Sequence, residues 1–191
     1  MQTLLSVPEN IVSSFNVLEA AKGRDFFVTS DPGGRKVGSG GGTAWLLAKH
    51  YESSDASVFC NYLQSDKKIL IHAGGQSRRL PAYAPLGKVL TPIPVFRWSR
   101  GQRLDQNLLD LQLPLFERLM EISSDKCNTL VASGDVLVQY NKLPAELPDA
   151  DVVCLGIWVD PQLASRYGVF FTPIKNPSRL DFMLQKPSHR E

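Results

Sequence analysis

Lys67-Lys68-Ile69-Leu70-Ile71-His72-Ala73 is a near-continuous apolar run closed by Gly74-Gly75, and it constrains the fold more than any other segment. A strand that is apolar on both faces has to be covered on both faces, which is the situation of a parallel strand between two layers of helices. The surrounding pattern agrees. Ile11, Val12, Phe15, Leu18 and Ala21 recur at helical spacing behind Pro8 and stop at Gly23, predicting a helix over 8–22. Residues 26–29 read as a short strand ended by Asp31-Pro32-Gly33-Gly34, and residues 38–43 (GSGGGT) as a glycine loop before a helix that begins at Ala44. Further helices are expected at 58–63, 105–122 and 161–166, with Pro114 beginning, kinking or interrupting the second. Strands are expected at 129–133, 152–159, 168–172 and 182–184. This alternation predicts an α/β fold with a mostly parallel sheet.

At 191 residues with 43% hydrophobic and 21% charged, the chain has globular composition and the length of about one domain. Twenty-one Lys and Arg against 19 Asp and Glu give a net charge of +2, no field with which to attract nucleic acid or an anionic membrane. Neither is an expected partner, and any phosphate ligand has to be held locally. Cys60, Cys127 and Cys154 form no CxxC pair, and Cys127 and Cys154 lie in or beside apolar runs, so buried thiols in a reducing compartment are expected. Residues 1–15 lack a basic stretch followed by an apolar one, so no secretory leader is expected, and a cytoplasmic location is expected by default.

Chemistry concentrates after the apolar strand. Gly74, Gly75, Ser77, Arg78 and Arg79 follow it directly, with Lys88 nine residues after Arg79. Strands of an open α/β sheet deliver such segments to the carboxyl edge, where glycines let backbone N–H groups approach phosphate oxygens. Arg79 as a planar fork and Lys88 as a point charge can then hold a polyphosphate. A tight turn with two solvated cations is the plainer alternative, and the strand context argues against it. Gly38, Gly40, Gly41, Gly42 and Thr43 cannot be a Walker A loop, having no lysine before the threonine. Their amides ahead of a helix suit an anion, and a flexible surface loop suits the same residues. Asp135 follows the strand at 129–133, where a carboxylate can hold Mg²⁺ or simply cap a turn. His72 reads as oriented by packing rather than as a general base, and Asp160 as the cap of a short helix.

The segment HAGGQSRRLP followed by GK resembles the signature of sugar-1-phosphate nucleotidyltransferases, although Ser77 stands where a loop glycine is usual and Gly87 where proline often precedes the lysine. With GSGGGT, residues 82–94, FRWSRGQ and LDFMLQKPS, the chain resembles more narrowly the bacterial bifunctional L-fucokinase/L-fucose-1-phosphate guanylyltransferases. That resemblance implies a Rossmann-like sheet of the sugar nucleotidyltransferase type, incomplete at the C-terminus. It implies GTP and L-fucose 1-phosphate as substrates, Mg²⁺ as cofactor and Asp135 as its ligand, Arg79 and Lys88 in catalysis, and the 38–43 and 74–78 segments on the nucleotide. Lys186, in QKP where the family has EKP, is implied to contact the sugar phosphate; by itself a Lys-Pro is an exposed turn. The resemblance also makes residues 1–191 the N-terminal part of a GDP-fucose pyrophosphorylase domain, with a kinase domain fused beyond it in the parent. Two alternatives stay open: a protein whose principal activity is L-fucokinase, for which no separate ATP loop or base is evident, and a non-catalytic nucleotide-binding remnant.

Overall fold

The chain opens on a strand, β1 (Gln2–Ser6), whose Leu4 and Leu5 are completely buried. In the computed structural model, which describes residues 1–35, 37–74, 87–93 and 105–188, the first unit spans Met1–Asp151 and the second Val152–Glu191. After β1, a single 3₁₀ turn (Glu9–Ile11) leads into α1 (Val12–Ala21), ended near Gly23 at a φ of +72°. Then follow β2 (Phe27–Thr29), α2 (Gly38–Glu52), α3 (Phe59–Ser65), β3 (Lys68–His72), α4 (Leu108–Glu121) and β4 (Thr129–Ser133). The four strands are all parallel, in the order β2-β1-β3-β4.

Period-two alternation sorts the sheet's side chains between two cores. Leu5, Ile69 and Ile71 face one side, where they meet Phe15 of α1 and Leu109, Leu113 and Phe116 of α4. Leu4 and Leu70, paired in register, face the other side and meet Leu46 of α2. The apolar run therefore is a strand covered on both faces, as its composition requires. Its one buried charge is also accommodated: Lys68 Nζ donates to the carbonyls of Tyr62 and Asp66 at 2.7 and 2.8 Å. Nearby, the Tyr62 hydroxyl is 2.8 Å from His50 Nδ1. Burial pushes that phenol up to about 12, and burial together with Lys68 lowers His50. Both shifts keep the pair neutral, a phenol beside an uncharged imidazole, as burial requires.

The start of α4 is tied to the end of α1 by charge. Asn107 and Asp110 form a reciprocal capping box. Asp110 and Glu19, both deeply buried, share Lys22 and Arg24: Arg24 lies 2.9 Å from Glu19 and 2.6 Å from Asp110, and Lys22 lies 3.2 and 3.5 Å from the same two acids. Burial opposes ionisation of Asp110, but the Asn107 amide, Arg24 and Lys22 outweigh it and hold the carboxyl below its usual range. Two acids and two bases close the box without net charge.

Several expectations are corrected here. The N-terminal strand β1 was not among the predicted elements, although it occupies an inner place in the sheet. Residues 38–43 are not a loop but the first turns of α2: Leu46 is fully buried and Gly42 buried against the sheet, so packing overrides weak glycine propensity. Pro114 neither begins nor interrupts α4, which continues on both sides of it. No strand forms at 152–159. An apolar run needs a ladder partner to become a strand, none is present among the described residues, and Ile157 and Trp158 stand 84% and 87% exposed. In the second unit α5 (Pro161–Ala164) precedes β5 (Gly168–Phe171) and β6 (Phe182–Gln185), which pair antiparallel with each other rather than extending a parallel sheet. All three cysteines are free, but Cys60 and Cys154 are exposed and Cys127 is half-buried, so the buried-thiol expectation fails for the first and last.

Candidate functional site

Parallel pairing aligns four polar strand ends in one row. Ser6 sits beside Thr29 on one side and His72 on the other, and His72 sits beside Ser133. All four strands thus release their chains at the same edge, the carboxyl edge, and the residues just beyond the row carry the candidate chemistry.

On the β4 side that chemistry is a charged pair. The chain leaves β4 through Gly134, whose N–H donates to the His72 carbonyl at 2.8 Å. A Cβ at this position would lie 2.9 Å from the Ala73 Cβ, so the close approach requires glycine. Asp135 follows. Its Oδ1 accepts from the Ser133 hydroxyl at 2.5 Å and its Oδ2 from Lys88 Nζ at 2.5 Å. Lys88 reaches this point because Gly87, at a φ of +71°, turns the chain into a 3₁₀ turn (Lys88–Leu90) pinned by fully buried Val89. Burial raises the Asp135 carboxyl, but the hydrogen bonds from Lys88 and Ser133 overcome it and hold the group below its ordinary range. Both side chains stay partly open to solvent, Lys88 28% and Asp135 40% exposed.

One buried side chain fixes the turn from beneath. Gln112, on the inward face of α4, donates through Nε2 to the carbonyls of Ser133 and Val136, bracketing Asp135. Neither Gln112 nor Ser133 was singled out from the sequence. The legible signal for Gln112 was a lone amide on the apolar face that also carries Leu109, Leu113 and Phe116, and a buried amide needs partners.

Across the edge, the start of α2 rests on the end of β3. Thr43 Oγ1 donates to the Ser39 carbonyl at 2.9 Å and lies 2.8 Å from His72 Nε2. A hydroxyl has one proton, so His72 Nε2–H is the donor in this pair and Nδ1 carries the lone pair. Burial lowers the His72 pKa, partly countered by Asp31, and the ring is neutral. Gly42 backs directly onto this ring and Trp45 donates to the Ser30 carbonyl at 2.9 Å. Of the proposed nucleotide-binding residues here, Gly38, Gly40 and Gly41 are exposed, while Gly42 and Thr43 are engaged with β3. Gly74 follows β3 beside Ser6. Gly75, Ser77, Arg78 and Arg79 lie outside the described residues. Lys186 belongs to the second unit, exposed after β6 at a φ of +52°, its N–H donating to the Tyr167 carbonyl at 2.8 Å. Asp160 caps α5 through the Gln162 N–H at 2.8 Å, as read from the sequence.

The structure thus brings Lys88 and Asp135 into contact, and gathers Thr43, Gly42 and His72 at the same edge. Among the described residues no three metal-ligating side chains cluster. One accessible carboxylate is nevertheless enough for Mg²⁺ when other oxygen ligands and water complete its shell, and Asp135 fits the ion in that way. No helix among the described residues is long and apolar enough to cross a membrane.

An open parallel sheet with helices on both faces and its polar residues, a lysine and a carboxylate at the carboxyl edge defines an α/β domain of the class whose ligand sites generally lie at that edge. The chain matches the fucose pyrophosphorylase domain model over residues 61–191. It is 59% identical over 192 residues to the L-fucokinase/L-fucose-1-P guanylyltransferase of Bacteroides fragilis, covering 100% of this chain and 20% of that protein. It is 28% identical over 182 residues to the bifunctional fucokinase/GDP-fucose pyrophosphorylase of Arabidopsis thaliana, covering 83% and 17%. To the fucose-1-phosphate guanylyltransferase of Homo sapiens it is 33% identical over 98 residues, covering 51% and 14%. The chain belongs to the fucose pyrophosphorylase domain family. It spans about a fifth of the length of its Bacteroides relative, and no solved structure matches it significantly.

Proposed function

We propose that the chain carries the guanylyl-transfer site of a fucose-1-phosphate guanylyltransferase. The reaction joins GTP and L-fucose 1-phosphate: the sugar-phosphate oxygen attacks the α-phosphorus, the α–β bridging bond breaks, and GDP-L-fucose and pyrophosphate leave. The convergence of Lys88 and Asp135 at the carboxyl edge carries the reading, with membership of the family in support. No protein nucleophile is needed, because one substrate is already an anionic nucleophile. Catalysis reduces to alignment and to neutralising charge.

Lys88 and Arg79 are assigned to the triphosphate, where fixed positive charge offsets the repulsion between two anions and stabilises the departing pyrophosphate. Gly74, Gly75, Ser77 and Arg78 are assigned to the phosphates and nucleoside, together with Gly38, Gly40, Gly41, Gly42 and Thr43. The latter group acts as a helix N-terminus rather than a loop, which keeps its affinity for anions. Lys186 is assigned to the sugar phosphate. Asp135 would hold Mg²⁺, which would supply positive charge against that of the phosphates. The Bacteroides relative's name pairs this activity with a fucokinase; we assign guanylyl transfer, not sugar phosphorylation, to this stretch, and a cytoplasmic setting where GTP is at hand.

Pyrophosphate release from GTP and L-fucose 1-phosphate tests the reading. The expected result, in a full-length parent, is magnesium-dependent release that requires both substrates and falls at least about tenfold in Arg79→Ala, from loss of a charge-assisted contact of about 1.5–3 kcal/mol. GTP binding without transfer would favour a non-catalytic nucleotide-binding remnant. Phosphorylation of free L-fucose by the chain would overturn the assignment.

A further inference from the structure

The Lys88–Asp135 contact takes up the two groups that the proposed reaction assigns to opposite ligands. We propose that this ion pair is a mutual latch, so that a divalent cation and a polyphosphate bind with positive coupling because each one frees the group that the other needs. The inference rests on the reading of this edge as a nucleotide site.

Three features make the pair a latch rather than a passing surface contact. Both oxygens of Asp135 are occupied, Oδ1 by the Ser133 hydroxyl and Oδ2 by Lys88 Nζ, each at 2.5 Å. A cation reaching Oδ2 therefore has to displace the ammonium. The backbones beneath are fixed, Asp135 by Gln112 and the Gly134–Ala73 contact, Lys88 by buried Val89 and the Gly87 turn. Release then needs only side-chain rotation, and both side chains are exposed enough to swing toward solvent. Finally, the ammonium is the only described cation on Asp135, so its departure leaves Oδ2 open to the metal, with Oδ1 still held by Ser133, while handing an unpaired ammonium to the phosphates.

Binding measured one ligand at a time separates the latch from the site reading. The probes are Mn²⁺ alone, followed by paramagnetic resonance, and GTP in excess EDTA, followed by calorimetry, with circular dichroism to check folding. Lys88→Met should weaken metal-free GTP yet tighten Mn²⁺ about two- to fivefold; Asp135→Asn should weaken Mn²⁺ yet tighten metal-free GTP by a similar factor, the range measured for partly exposed pairs. Both gains should shrink with rising salt. In a Lys88→Met background the Asp135→Asn gain should vanish, because there is no ammonium left to release. A gain that persists there is simple repulsion between carboxylate and phosphate and overturns the latch. Losses without the opposite gains also overturn the latch while leaving the site reading intact. If neither substitution weakens its own ligand, or the unaltered chain binds neither probe, both ideas fail. Lys88→Gln and Asp135→Ser repeat the cycle should a first variant not fold.

Discussion

Gly134 shows how one missing methyl sets a site. A side chain there would strike Ala73 at 2.9 Å and the His72 carbonyl at 3.2 Å, and these neighbours are the last residue of β3 and the buried residue after it. Gly134→Ala should therefore lower stability by about 1–3 kcal/mol, as overpacking does, measured as a fall in the urea midpoint at unchanged slope. The two histidines of the first unit act through protonation instead. His50 and His72 both titrate below their ordinary 6.5 because burial penalises the cation. The unfolded chain then binds more protons than the folded one below that value, so stability is complete above about pH 6.5 and declines as pH falls toward the folded values. Asp110 and Asp135, held below 3.8 by their partners, contribute stability above that value and lose it as pH drops further. Denaturation at a series of pH values should show two successive losses, and removal of the first by His50→Gln with His72→Gln checks its source.

Elements divide into those whose own residues announce them and those that a neighbour creates. The strand β3 and the helix α4 are legible because their apolar patterns serve burial directly, and Thr129–Ser133 and the Asp160 cap follow from local chemistry. Two elements were hidden for opposite reasons. In β1, five residues reading QTLLS are too short to declare a period, and become an inner strand only because β2 and β3 bracket them. At the start of α2, glycine propensity points to a loop, whereas Leu46 and Gly42 anchor the segment on the sheet. The site shared this split: Lys88 and Asp135 were legible as charges after glycines, while Gln112 was masked by its apolar helix face. A helical 38–43 segment makes a testable difference. Gly40 has open space around it and no positive φ, so Gly40→Ala should stabilise by about 0.4–1 kcal/mol. Gly38, at a φ of +74°, should be destabilised by the same change. A flexible loop would respond to neither, and thermal melting of the two variants decides.

On the scale of the whole molecule, the two units differ in how far they bury their apolar side chains. The first encloses two cores around its sheet, whereas the second leaves Ile157, Trp158 and Ile174 at 84%, 87% and 99% exposure. Apolar surface of that extent associates. Size-exclusion chromatography with light scattering should find the 191-residue chain larger than a monomer, and Ile157→Lys with Trp158→Ser should shift it toward one; a monodisperse monomer before substitution contradicts the expectation. The neutral box of Glu19, Lys22, Arg24 and Asp110 carries a different kind of consequence, one for anyone who recombines such domains. Because each acid leans on both bases, a chimera that imports α4 with its Asp110 but not the Lys22 and Arg24 of the preceding helix end would bury an orphan charge, a penalty of several kcal/mol. The crossover point for a viable chimera therefore lies outside residues 19–110, and those two distant stretches are inherited as one unit.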